Sequence, residues 1–295
     1  MGQPAELVVD SASELLGAVP SSDCTDPSRG SRVAVTVART LVWMVPALAI
    51  VALTYLLPLV PLDGPLALAA YFIAESAGKY GATILCIALT VLIVWRPGIG
   101  PRQRAREATV LVVVLALANG GAAYFHEHVL KPALRTPRPN LQAMVAEGRI
   151  PITAEAFYAL GEKPDRTVYL EERLPIGTLG MHELIRRHWL VETGYSFPSG
   201  HSLSAMTIAT FFLAWGLSSL RGWRRQITFA LVPWAVLVCY SRPILRVHSP
   251  TDVLTGASEG VVVGLAAYAV CRGLLRERRT RQVSNAQPAA AQAAE

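Results

Sequence analysis

Six apolar blocks, at 41–60, 81–95, 108–125, 203–220, 227–240 and 253–270, constrain this chain more than any other feature. Only 16% of its 295 residues are charged, and the charges gather between the blocks. An ordinary soluble domain is about one quarter charged and spreads that charge over its surface. Crossing a hydrocarbon core of roughly 30 Å takes about 20 helical residues, so the shorter blocks imply tilted or partly embedded ends. The pattern predicts an all-α integral membrane protein, a bundle of six transmembrane helices.

Arginines outside the blocks orient the bundle. Arg29, Arg32 and Arg39 precede the first block, and Arg96, Arg102, Arg104 and Arg106 follow the second. Arg221, Arg224 and Arg225 follow the fourth, and Arg272, Arg276, Arg278, Arg279 and Arg281 follow the sixth. These regions alternate as one side of a membrane should, and excess positive charge marks the cytoplasmic side, so both termini are expected there. The net charge of +6 then reads as a topology signal with some attraction to anionic lipid, and no nucleic-acid partner is expected. Residues 1–39 read as a disordered cytoplasmic tail, 40–275 as the membrane domain and 276–295 as a second cytoplasmic tail. The leading stretch is too long and too acidic to open a cleaved signal peptide, so the first block is expected to stay as an anchor. The spacing of the four cysteines suggests no disulfide framework, and nothing specifies an oligomer.

One long polar interval, about 140–194, forms an extramembrane insert between the third and fourth helices, with short helices expected at 153–160 and 181–193. Loops of this length in a compact protein are usually functional.

Three polar stretches flank the blocks: KPALRTPRP at 131–139, YSFPSGHS at 195–202 and SRPILRVHSPTD at 241–252. The forty residues between His201 and Arg242 give about 60 Å of helix path, one crossing in and one back. Both residues therefore return to the face opposite the arginine loops. The third block ends just before His126 and carries Lys131 and Arg138 to that face as well. These residue types suit a tetrahedral dianion. Lys131 offers point charge, while Arg138 and Arg242 offer planar forks that match phosphate oxygens. Pro198, Ser199, Gly200 and His201, directly ahead of a helix, offer amides at the positive end of its dipole; Gly200 permits close approach and Ser199 adds a hydroxyl. One of His201 and His248 can attack phosphorus while the other protonates the leaving oxygen. His248 is the better nucleophile, because a helical turn would set Asp252 on one of its ring nitrogens. Ser249, Pro250 and Asp252 equally spell a helix start in which Asp252 is only a cap.

The three stretches, K-x6-R-P at Lys131 to Pro139, P-S-G-H at Pro198 to His201 and S-R-x5-H-x3-D at Ser241 to Asp252, resemble in order and spacing the signature of the type-2 phosphatidic acid phosphatase superfamily. The segment RRHWLVETGYSFPSGH and the insert before it resemble a bacterial branch of that family. The resemblance implies a six-helix membrane phosphatase of the bacterial inner membrane with its site on the periplasmic side. His248 would form a phosphohistidine supported by Asp252, and His201 would act as general acid and later activate water. Lys131, Arg138, Ser199, Gly200 and Arg242 would bind the phosphoryl group, with no metal or cofactor. The implied substrate is a lipid phosphate, first phosphatidylglycerophosphate, with undecaprenyl diphosphate as the alternative. Arg246 departs from the family pattern, which has a small residue there, often glycine; its side chain could touch the phosphate, bind a headgroup or snorkel away.

Other polar residues carry weaker expectations. His126 and His128 flank Glu127 like half of a metal site, but no second cluster accompanies them, and HEHVLK reads as an interfacial helix end. His182 and His188, beside Arg186 and Arg187, read as solvated surface. Glu192 either pairs with an arginine or meets a cationic headgroup. Two rival classes stay open: an anion transporter that holds phosphate without cleaving it, and a vanadate-holding haloperoxidase, against which the apolar blocks argue.

Overall fold

Proline and glycine set most helix boundaries. The structure, a computed structural model, describes residues 27–177 and 179–292, and every regular element among them is helical. A proline at the first helical position gives up an N–H that has no partner anyway and presets φ. Helices α1 (Pro27–Ala52), α2 (Pro65–Ser76) and α4 (Pro101–Leu115) begin this way, and α3 (Lys79–Val94) begins after Gly78. Two π-turns, Ala116–Gly120 and His126–Leu130, interrupt the helix that α4 opens. It continues through α5 (Gly121–Phe125) and α6 (Lys131–Leu134), and α7 (Pro139–Ala146) starts anew after the non-helical residues 135–138. The insert adds α8 (Ala154–Tyr158), α9 (Lys163–Arg173) and α10 (Glu183–Val191). Three long helices complete the chain: α11 (Gly200–Ser219), α12 (Gly222–Ile244) and α13 (Pro250–Gln292).

Five of these stretches are long and apolar enough to cross a membrane, at 32–56, 101–146, 200–219, 222–244 and 250–275. The sixth crossing is broken: α2 and α3 together qualify but are bent by 59°. The block at 81–95 is only half of that crossing, and α2 supplies the other half. A Cβ on Gly81 would strike the Ser76 carbonyl, so the sharp bend depends on glycine there. The Trp234 indole fixes the break from α12 by donating to Ser76 Oγ at 3.0 Å. Large apolar side chains such as Leu56, Leu59, Tyr80 and Leu117 are more than 70% exposed, which suits lipid and not water. The chain is a multi-pass membrane protein.

Helix α1 begins at Pro27, inside the stretch expected to be a tail, and residues 1–26 lie outside the described residues. At the other end α13 runs on through 276–292, where a tail was also expected.

Helix α11 is the central post. Its side chains from Leu203 to Trp215 are almost all fully buried, and it packs mainly against α13 and α12, with α1 closing the bundle. Glycines every fourth residue on α13 let the backbones meet. A Cβ on Gly260 would come within 2.5 Å of the Leu203 carbonyl oxygen, and one on Gly264 within 2.8 Å of that of Thr207. Small residues at this spacing are how helices approach closely in lipid, where no hydrophobic force drives them together. One turn higher, Gly256 faces Ser199 in the same way. The close contact therefore fixes the start of α11 against the start of α13.

A second apolar core lies at that same end. Phe157, Leu170, Ile185 and Trp189 of the insert pack with Ala67, Ala70 and Ala74 of α2 and with Ile244, Leu245 and Val247 just past α12. We predict that Gly260→Val separates α11 from α13 and lowers the thermal unfolding midpoint in detergent, at a cost of about 1–3 kcal/mol for overpacking. Gly200→Ala should leave that midpoint unchanged, because a Cβ at Gly200 meets nothing within 4 Å.

Candidate active site

A Cβ at Gly200 would meet nothing within 4 Å, at the start of α11. Ser199 caps α11: its Oγ accepts from the Ser202 amide at 3.4 Å and from the Ser202 hydroxyl at 3.0 Å. Its own amide donates to the Asp252 carbonyl at 3.0 Å. The amides of Gly200 and His201 lie in the first turn, where a helix has no acceptor for them, so they remain available to an anion.

Arg138 reaches the site just ahead of α7. Its Nε donates to the Gly194 carbonyl at 2.8 Å and Nη1 to the Val247 carbonyl at 3.0 Å. The same Nη1 lies 3.3 Å from His248 Nε2. Tyr158, stacked on Tyr195, takes the Arg138 amide on its hydroxyl at 3.2 Å. Arg242, fully buried in the last turn of α12, lies with Nη1 3.2 Å from His188 Nε2.

Glu192 joins the two arginines. Its Oε1 accepts from Arg242 Nη2 at 2.7 Å and its Oε2 pairs with Arg138 Nη2 at 2.6 Å. Burial pushes the Glu192 carboxyl up, but Arg138, Arg242, His201 and His188 outweigh it and hold the group well below the usual carboxylate range. Of the two fates open to Glu192 in the sequence, the structure shows arginine pairing.

On the far side of Arg138, His248 Nδ1 lies 3.5 Å from Asp252 Oδ2 and 3.4 Å from Ser196 Oγ. The Ser196 hydroxyl donates to the same Asp252 oxygen, which also takes the Ser249 amide at 2.8 Å. The Ser249 hydroxyl in turn receives the Asp252 amide at 3.2 Å. Asp252 is thus both a helix cap and the carboxylate beside His248, and the two readings of its position are compatible. Burial first, then the Arg138 charge, lowers His248 below the ordinary histidine value, against the pull of Asp252. An imidazole in that state is neutral, with Nδ1 turned to the carboxylate and an Nε2 lone pair facing the site.

His201 follows Gly200, with its Nε2 toward the α2–α3 break at Gly78, and makes no hydrogen bond among the described residues. Lys131 is close enough to Arg138 and Glu192 to feel their charges, but its ammonium bonds Glu127 at 3.1 Å. Glu127 also pairs with Lys163 of the insert. Of the residues expected at the site, Arg138, Ser199, Gly200, His201, Arg242, His248 and Asp252 come together, and Lys131 sits at the rim on a carboxylate.

Three expectations change. His188 is buried rather than solvated, lying 3.4 Å from Glu75 and against Arg242, because the amphipathic α10 turns that face onto α2. His126 lies inside the bundle with Nε2 2.9 Å from Glu259 Oε2 instead of at an interfacial end, and no group of metal-ligating side chains occurs among the described residues. Arg246 does not reach the phosphate side; it adopts φ +57° and donates to the Val60 carbonyl at 3.0 Å. A left-handed backbone explains why glycine suits this position. Sequence reasoning missed Glu75 and Ser196. Glu75 was visible as the lone acid in YFIAESAGKY; Ser196 carried no signal.

The site thus sets paired arginines, paired histidines and helix-start amides at one end of a multi-pass helical membrane protein. The PAP2 superfamily profile matches residues 107–275, and the chain belongs to that superfamily. It is 31% identical over 190 residues to Phosphatidylglycerophosphatase B of Escherichia coli (strain K12), covering 63% of this chain and 68% of that one. With Phosphatidylglycerophosphatase B of Haemophilus influenzae it shares 30% identity over 197 residues, 62% of this chain and 73% of the relative. The Phosphatidylglycerophosphatase B of Bacillus subtilis is 39% identical over 75 residues, 24% and 37% of the two chains.

The Glu192 bridge gives a prediction. Its folded pKa lies below the unfolded one, so its stabilisation is complete above about pH 4.3 and is lost as pH falls toward the folded value. Removing one partner of a buried pair costs about 3–5 kcal/mol. Glu192→Gln should lower the unfolding midpoint at neutral pH and flatten its decline in acid. Added inorganic phosphate should restore more of the midpoint in this variant than it adds to the wild type.

Proposed function

We propose that the protein is a membrane lipid phosphatase that hydrolyses a lipid phosphomonoester through a phosphohistidine, most simply phosphatidylglycerophosphate to phosphatidylglycerol. One observation carries the reading: His248 stands with a carboxylate on Nδ1 and its other nitrogen, Nε2, beside Arg138. An anion transporter needs the arginines but has no use for an oriented lone pair.

The phosphoryl group displaces Glu192 from between Arg138 and Arg242 and takes further hydrogen bonds from the Gly200 and His201 amides, with Lys131 drawn from Glu127 to the added charge. Ser199 turns its hydroxyl proton to the same group. His248 Nε2 attacks phosphorus in line, forming the N–P bond as the bond to the lipid oxygen breaks, and Asp252 stabilises the imidazolium through Nδ1–H. His201 protonates the departing alkoxide and then takes a proton from the water that attacks the phosphohistidine, releasing phosphate and restoring His248. The charge is balanced by guanidinium, ammonium and backbone donors, a set that repels a divalent cation, so hydrolysis should proceed without a metal.

The arginine distribution supports a periplasmic site with both termini in the cytoplasm. The names of the relatives and the presence of the insert support the substrate.

His248→Ala should abolish phosphate release from purified lipid phosphates with chelator present, while wild type stays active. Correctly inserted His248→Ala with normal turnover would remove the nucleophile. Asp252→Asn should lower kcat by at least about 100-fold, in keeping with the role of an orienting acid in general-base catalysis. Arg246→Gly should leave turnover intact, since this side chain faces Val60.

A further inference from the structure

The phosphoryl chemistry uses none of a second polar group that lies deeper in the bundle. His126 Nε2 lies 2.9 Å from Glu259 Oε2. Two turns away on the same helix, roughly 10 Å along its axis, Asn119 Nδ2 donates to Ser204 Oγ at 3.0 Å. These two contacts join the π-turned helix to α13 and to α11, at the level where Gly260 packs on Leu203. His126 is 95% buried. Counted along their helices, His126 lies roughly 8 Å below Lys131 and Glu259 roughly 10 Å below Asp252.

Ionisable side chains inside a membrane span are costly and mark function by default. This group is also incomplete. His126 Nδ1 and Glu259 Oε2 are buried without hydrogen-bond partners, the His126–Glu259 contact being close but not aligned as a hydrogen bond. A carboxylate oxygen only accepts, and so does Nδ1 when the neutral ring carries its proton on Nε2. Phosphate, phosphodiester and ester oxygens are acceptors too and find nothing here; a hydroxyl can donate. The Glu259 side chain is 35% exposed, and the same two helices carry the exposed apolar side chains Tyr124, Phe125, Val129 and Val262.

We propose that His126 and Glu259 form a subsite for the hydroxyl of the three-carbon linker between the phosphoryl group and the acyl chains of the substrate. This rests on the phosphatase reading above and adds to it a choice among lipid phosphates. A glycerol-based lipid with a free linker hydroxyl donates to one of the two unmet acceptors while its phosphoryl group lies against Arg138. A polyprenyl chain of the same length leaves them empty. The π-turn at His126–Leu130 sets His126 toward α13, and such turns recur at functional positions.

The test uses the full-length protein in detergent and two non-hydrolysable phosphonates of equal chain length, one with a hydroxyl on the three-carbon linker and one without. Wild type should bind the hydroxylated compound on the order of tenfold more tightly, the value of one hydrogen bond to a charged group. His126→Leu/Glu259→Leu, which removes both polar groups together, should bind the two alike, with affinity for the deoxy compound unchanged. Glu259→Gln, which keeps shape and folding, should show a reduced preference. Equal binding by wild type would overturn the proposal, and so would a preference retained in the double variant or an equal loss for both compounds. Turnover of the matching phosphate esters is read separately, so a preference in binding with no phosphate release would count against the hydrolase reading and leave the subsite standing.

Discussion

Two guanidinium groups buried within reach of one carboxylate set the terms for the rest of this structure. Arg138 and Arg242 repel each other in a medium that screens poorly. They can share a pocket only if an anion lies between them, and without substrate Glu192 is that anion. A site that must always hold negative charge exchanges one anion for another with little reorganisation. Preorganisation of this kind is a large part of catalysis at developing charge.

The arginines arrive from distant parts of the chain, so their meeting depends on how helices end. Pro139 and Pro250 start helices directly after Arg138 and Ser249, and Ser199 caps α11. Each functional side chain therefore sits at a helix terminus or one turn from it. There the backbone has unpaired donors to lend and the geometry is fixed by a cap. The glycine contact between α11 and α13 joins two of these termini into one unit, through the Ser199 amide and the Asp252 carbonyl.

Much of this was legible in the sequence, for physical reasons. Apolar blocks are read by length alone, and Lys131, Arg138, His201, Arg242, His248 and Asp252 belong to short motifs whose spacing survives any tertiary detail. What escaped depends on contacts between segments. His188 looked solvated because its neighbours Arg186 and Arg187 are charged; only the docking of α10 on α2 reveals that it faces Arg242. The broken crossing hid because the block at 81–95 was counted from its apolar run, whereas α2 carries Glu75 and ends at Ser76, with Gly78 in the break. The positive φ at Arg246 cannot be read from an arginine. The family habit of glycine there was the visible trace of it.

The second apolar core has a bearing on how such proteins could change over time. Trp189 of the insert donates to the Leu245 carbonyl at 2.8 Å, and Arg138 covers the Val247 carbonyl two residues on. The loop carrying His248 is thus held partly by a segment outside the bundle. Excising that segment would strip the loop of an indole and several packing side chains at once. A shorter descendant would first have to evolve another brace for residues 245–247, so the insert is bound to the chemistry as scaffolding and cannot be shed like an accessory cap.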